Sequence, residues 1–138
     1  MKWTQSLIRI SEHQIDELRK RVRDIAERRA ECERKLMELA VESAAEAEQA
    51  RASVEAGWYL IGYREGWKMR KDKVLAQLDA LSLEEAGVRD ALAAAFEELK
   101  KVEQVAEAAR AAQGRAEAKV ENAKLDELAL RGRSQGGR

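Results

Sequence analysis

Apolar residues recur in alternating steps of three and four along most of this 138-residue chain, and no proline interrupts them. At a usual proline content of about 5%, roughly seven prolines would be expected. An uninterrupted pattern of this kind is typical of long α-helices that pair along an apolar seam. Because 38% of the residues are charged and only 4% are aromatic, the chain cannot fill a compact globular core. We predict an all-α fold.

The seam falls into two halves. In the first half it runs from Ile8 to Leu39 and then thins to alanines, and in the second half it runs from Leu78 to Leu130. Composition changes sharply between the halves, because residues 56–67 hold four of the six aromatic residues and three of the eight glycines. Two seams separated by such a segment predict a long antiparallel two-helix coiled-coil hairpin.

Gly57 is the expected end of the first helix, because glycine accepts positive φ freely. We therefore expect helix one at about 4–56, a turn near 57 and helix two at about 58–130, within a single domain. A capping box at Ser82 offers an alternative turn near 82. Residues 131–138 lack apolar periodicity and are expected to form a disordered basic tail.

Charge and composition exclude several classes of protein. The 26 basic and 26 acidic side chains cancel, and acidic residues interrupt every basic stretch, so no nucleic-acid partner is expected. We find neither a membrane span nor a signal peptide, which predicts a cytoplasmic protein with reduced Cys32. Residues 1–35 carry ten basic and seven acidic groups, and residues 100–138 carry nine and six. A hairpin would join these two basic ends into a pole open to an acidic partner.

Catalytic and cofactor sites find no support in the residues. The single histidine, His13, lies outside the seam, and Cys32 lies within it as a small hydrophobic residue with no base spaced to activate it. The glycines at 57, 62 and 66 lack the Lys-Ser/Thr ending of a phosphate loop and indicate a turn or a close contact instead. We expect no enzyme activity, no metal and no cofactor.

An aromatic stripe follows the predicted turn. Tyr59, Tyr63 and Trp67 stand four residues apart on one helix face, and Val74 continues that face. Rings that two helices cannot bury form an apolar patch, which usually marks a partner surface. The alternative is that the rings clamp the turn, and the residues alone leave both interpretations open.

A compact motif stands near the C-terminus, with an aliphatic residue, Asp-Glu, an apolar residue, Ala, one variable residue and then Arg: Lys124-Leu125-Asp126-Glu127-Leu128-Ala129-Leu130-Arg131. This ending, on a proline-free chain with a two-helix pattern and aromatic residues near the fold-back, resembles the FliJ family of flagellar export proteins. The similarity covers the whole chain in pattern and about eight residues in motif.

The resemblance implies a stalk-like hairpin of the flagellar type III export apparatus, similar to the central stalk of rotary ATPases and peripheral to the inner membrane. The paired ends would enter the export ATPase ring, and the fold-back would contact the transmembrane export gate, with export chaperones as further partners. The ring contacts would fall on Leu125, Asp126, Glu127, Ala129 and Arg131. The gate contacts would fall on Tyr63, Trp67 and Val74, which match family positions, together with Tyr59 from the stripe. The dense glycines at 57–66 depart from the family pattern.

Two alternatives belong to other systems or classes. A homologous injectisome stalk protein would have the same pattern. A generic cytosolic coiled-coil scaffold would dimerise through the seam, although Arg29, Ser43 and Gln113 at seam positions weaken such an association.

Overall fold

Two helices make up the structure, a computed structural model that describes residues 2–136. Helix α1 spans Lys2–Ala50 and helix α2 spans Val54–Gly136. No strand occurs within residues 2–136. The predicted all-α fold with two long helices in a hairpin is confirmed.

Three residues, Arg51, Ala52 and Ser53, connect the helices. The Arg51 and Ala52 amides donate to the carbonyls of Glu48 and Gln49, at 3.3 and 3.1 Å. These bonds reach back three residues instead of four, so the last turn of α1 tightens and satisfies carbonyls that the helix end would leave open.

Ser53 caps α2. Its Oγ accepts a hydrogen bond from the Ala56 amide at 3.1 Å, and its carbonyl accepts one from the Gly57 amide at 3.2 Å. The helix therefore starts before Gly57, and no glycine in the described part of the chain has positive φ. The connection lies at 51–53 instead of near 57, because a serine cap satisfies the orphan amides that a glycine cannot.

Helix α2 also differs from prediction further along. It runs through Ser82 without a break, so the alternative turn near 82 is wrong. It continues to Gly136 instead of ending near 130, and the Arg131 guanidinium pairs with the Glu127 carboxylate one turn earlier, at 2.9 Å. Such pairs support a helix end. Residues 137 and 138 of the predicted tail lie outside the described residues.

The chain forms two units, of which one spans Ile15–Ala93. Its core consists of residues seven apart on each helix, with α1 and α2 each contributing three: Ile25, Cys32, Leu39, Val74, Leu81 and Val88. Half-buried side chains extend this seam: Leu18, Val22, Leu36, Trp67 and Leu78. The seven-residue spacing keeps each contact on the facing side of its helix, as the sequence pattern predicts.

The other unit combines the residues up to Gln14 with those from Ala94 onward. Thr4, Ser11 and Ala106 are buried here. Every residue from 111 to 134 is exposed, so this stretch of α2 buries no side chain. At its start, Gln113 lines a small cavity with Thr4, Gln5 and Ile8 of α1. We call residues 111–134 the unpaired segment. No described helix has an apolar stretch long enough to cross a bilayer.

Candidate functional site

Trp67 is fastened to the opposite helix. Its indole Nε1 donates a hydrogen bond to the Leu39 carbonyl on α1 at 2.7 Å, and its ring packs against the core. The Lys71 ammonium lies 5.1 Å from the ring centroid, a distance at which a cation is attracted to the face of an indole. Trp67 therefore clamps the two helices together.

Tyr63 lies one turn before Trp67 and is half-buried. Its hydroxyl is shielded from solvent and makes no hydrogen bond within the described residues. The Arg70 guanidinium lies 5.9 Å from the ring centroid and pairs with Glu42 on α1 through two hydrogen bonds of 3.2 and 3.3 Å. Burial, with the Glu42 carboxylate nearby, raises the pKa of the Tyr63 phenol. Arg70 holds the pKa of the Glu42 carboxyl below its ordinary range.

The residues of the predicted aromatic stripe thus differ in how far α1 covers them. Val74 is a buried member of the core, and Trp67 and Tyr63 lean on α1. Only Tyr59 is open to solvent, with 68% of its surface exposed. The burial of the other three favours the turn-clamp interpretation for them and leaves Tyr59 as the accessible residue.

The structure shows a second apolar surface that the sequence analysis did not single out. Trp58 and Met69 are 72% and 73% exposed, and Val54 and Ile61 are exposed as well. Counting 100° per residue from Val74 places all four on the side of α2 away from α1. The signal was available in the sequence, because these residues fall outside the heptad seam.

The C-terminal motif lies within the unpaired segment. Leu125, Asp126, Glu127, Ala129 and Arg131 are all helical and exposed, and the structure brings none of them against α1. The exposed leucines at 125 and 128 stand three residues apart and share one side of the helix, whereas Leu130, two residues further on, points to the other side. The motif thus presents apolar surface on two sides.

A charged cluster crosses the middle of the seam. The Arg29 guanidinium lies 2.5 Å from the Glu85 carboxylate, and Arg89 approaches the same carboxylate to 2.9 Å. Arg28 and Glu84 lie beside them at 3.9 Å. Arg89 and then Arg29 lower the pKa of the Glu85 carboxyl. The seam arginine therefore has its counter-charge within the same chain.

Other candidate sites carry little chemistry. Cys32 is buried in the seam, with its Sγ 3.9 Å from the Gln77 side-chain oxygen, and His13 is exposed on α1. Among residues 2–136, no group of three or more His, Cys, Asp and Glu side chains could hold a metal ion. An open groove of about 510 Å³ runs beside Cys32 between charged side chains.

Comparison with known proteins gives the family. Two curated relatives, both named Flagellar FliJ protein, come from Caulobacter vibrioides strains NA1000 / CB15N and ATCC 19089 / CIP 103742 / CB 15. Each is 47% identical over 137 residues, which cover 99% of this chain and 99% of the relative. No family model matches the chain, and no solved structure matches it. With this identity over nearly its whole length, the chain belongs to the FliJ family of flagellar export proteins.

Proposed function

We propose that this protein is a non-enzymatic part of the flagellar type III export apparatus that couples the export ATPase ring to the transmembrane export gate. The observation that carries the proposal is the unpaired segment of α2, which holds the C-terminal motif and is exposed over all of residues 111–134. A helix that no other part of its chain covers is available to a partner. Membership of the FliJ family supports the flagellar setting.

The ring contact would use the unpaired segment. A helix that presents leucines on two opposite sides is suited to surroundings that enclose it, because each side can then bury apolar area. The interior of an ATPase ring provides such surroundings. Leu125 and Ala129 would supply apolar contacts, and Asp126, Glu127 and Arg131 would pair with charges on the ring.

The gate contact would use the part of α2 that follows the connection. Tyr59 is the stripe residue placed to touch a partner directly, and the half-exposed Tyr63 adds the edge of its ring. Trp67 and Val74 would act by holding this part of α2 against α1. We propose the same four residues for the gate contact, with these different roles.

The cellular setting follows from the family. We place the protein in the cytoplasm, peripherally at the inner-membrane export apparatus, with export chaperones as further partners. The names of the two relatives favour the flagellar system over an injectisome. The pairing of Arg29 with Glu85 inside one chain favours an intramolecular hairpin over a scaffold that dimerises through the seam.

A truncation tests the ring contact. Removing residues 124–138 should abolish co-elution with the purified flagellar export ATPase. Helicity per residue and the denaturation midpoint should stay as in the full chain, because residues 124–134 are all exposed. Leu125→Ala should weaken binding in the same assay. The matched control is Leu83→Ala, which removes another exposed leucine of α2 outside the motif. Full binding by the truncated chain would refute the ring contact.

A further inference from the structure

One face of α2 near the connection has residue spacings that read the same in both chain directions about residue 64. Six residues follow one another in steps of four, three, four, three and four, which keeps them on one side of the helix: Glu55, Tyr59, Gly62, Gly66, Met69 and Lys73. All six are exposed. This side lies lateral to the seam. Met69 stands where it borders the outer side of α2, and Lys73 also lines a groove with Glu38 and Glu42 of α1. We call these six residues the lateral face.

The two glycines in its centre have no role in the hairpin. Glycine inside a helix lowers stability relative to alanine. A Cβ added at Gly62 or Gly66 would meet no atom within 4 Å, and neither glycine has positive φ. Neither internal packing nor backbone conformation therefore requires glycine here. Glycines one turn apart do allow the backbone of another helix to approach closely.

We propose that the lateral face binds a second copy of this chain, with the two α2 helices antiparallel and centred near residue 64. In that arrangement Gly62 meets Gly66 of the second copy at the closest approach. Tyr59 meets Met69 of the second copy, and Glu55 meets Lys73 of the second copy. Each pair occurs twice because the contact has two-fold symmetry.

The chemistry of the face matches this occupant. A thioether against an aromatic ring is a favourable contact, and opposite charges at the two ends fix the direction and the register. A lipid surface would leave the Glu55 carboxylate without a counter-charge. It would also have to accommodate the carboxylate of Glu65 at the edge of the face. A second copy pairs every charge on the face itself.

Association should be weak and reversible. The contact spans residues 55–73, about 28 Å of helix at 1.5 Å per residue, which is short of the area that stable dimers bury. Glu65 also lies close to Glu65 of the second copy, near the two-fold axis. Two like charges placed close together repel each other, and this repulsion opposes tight binding.

Sedimentation of the full chain, over concentrations up to about 1 mM, provides the test. The weight-average mass should rise with concentration toward that of a dimer. Gly62→Leu should weaken association at least tenfold while leaving helicity unchanged, since the hairpin has room for the side chain. The matched control is Gly87→Leu, at another open position of α2.

Charge reversal tests the register. Glu55→Lys and Lys73→Glu should each weaken self-association, and the chain carrying both should recover it. A mixture of the two single variants should associate more tightly than either variant alone, because every end pair is then of opposite charge. Lys68→Glu makes the same charge change off the lateral face and serves as the control.

Three results would overturn the proposal. The first is a chain that stays monomeric throughout the concentration range. The second is a dimer that tolerates Gly62→Leu, and the third is a dimer that the paired reversal fails to restore. If the chain is monomeric and Gly62→Leu instead abolishes its binding to anionic vesicles or to the export gate, the lateral face binds that partner and not a second copy.

Discussion

Arg29 of α1 and Glu85 of α2 meet across the seam with 2.5 Å between a guanidinium nitrogen and a carboxylate oxygen. Only 18% of the Glu85 side chain is exposed, and Arg89 reaches the same carboxylate from the next turn. A charge at a seam position specifies register, because a shifted pairing would leave it without its counter-charge. This contact opposes both slippage of the hairpin and association of separate chains through the seam.

The charged cluster predicts a dependence of stability on pH. Since Arg89 and Arg29 lower the pKa of Glu85 in the folded chain, the unfolded state binds more protons as the medium becomes acidic. The stabilising contribution is therefore complete above the unfolded value of about 4.3 and is lost as the pH falls through the lower, folded value. Glu85→Gln should flatten the fall of the melting temperature in this range.

Thermal melts monitored by circular dichroism, at several pH values between about 2 and 6, measure that profile. The control variant is Glu121→Gln, which removes an exposed carboxylate from the unpaired segment. An acid profile for Glu85→Gln that coincides with the wild-type profile would count against the cluster as a contributor to stability.

Trp67 predicts a graded loss of stability. Trp67→Phe keeps an aromatic ring but removes the hydrogen bond to Leu39, and should lower the free energy of unfolding by about 1 kcal/mol. Trp67→Ala also removes the packing and should cost about 3 kcal/mol. Trp58→Ala, at a ring that is exposed on the outer side of α2, should change stability by less than about 0.5 kcal/mol.

Urea denaturation gives these differences, and the same variants separate clamping from partner binding. If Trp67 contributes only to a partner surface, Trp67→Ala will unfold at the wild-type midpoint while gate binding falls. If Tyr59 is the direct contact, Tyr59→Ala will keep the midpoint and lose gate binding. If Trp67→Phe, Trp67→Ala and Trp58→Ala are all as stable as the wild type, Trp67 does not clamp the two helices.

The unpaired segment predicts a division in hydrogen exchange. Backbone amides that can open without breaking a packed interface exchange faster than those of a buried core. Amides of residues 111–134 should therefore exchange faster than those around Val74 and Leu81, which lie in the core. Binding of the export ATPase should slow exchange in residues 111–134 specifically. Protection of that segment in the free chain would show that something already covers it.

The sequence predicted the seam well because its signal is repeated. Ile25, Cys32 and Leu39 each occupy the same heptad position, and a repeat of seven can place them on only one side of a helix. The aromatic stripe was harder to predict, because helical spacing shows that Tyr59 and Trp67 share a side of α2 but not how far α1 extends beside each. Contact with α1 is what separates the half-buried Trp67 from the exposed Tyr59.

Gly57 alone misplaces the connection, because the preference of glycine for a turn competes with the preference of serine for the start of a helix. Gly57 allows a left-handed turn but does not demand one, whereas Ser53 satisfies amide groups at the start of a helix. Apolar periodicity also misleads at the end of α2. It predicts a seam up to Leu130, yet Val120, Leu125 and Leu130 are exposed. Helix α1 has 49 residues against 83 in α2, so α1 is too short to cover the far end of α2, and the periodicity of α2 does not report that limit.

The position of the connection predicts opposite effects for two neighbouring alanine substitutions. Ser53→Ala removes the cap and should lower the free energy of unfolding by about 1 kcal/mol. Gly57→Ala should raise it by about 0.5 to 1 kcal/mol, because Gly57 is helical without positive φ and an added Cβ meets only the Ala50 carbonyl oxygen at 4.0 Å. Urea denaturation of both variants, with Ala52→Gly as a control in the connection, decides the matter. A hairpin that turned at Gly57 would respond the other way, since alanine would then be strained at 57 and Ser53 would lie within α1.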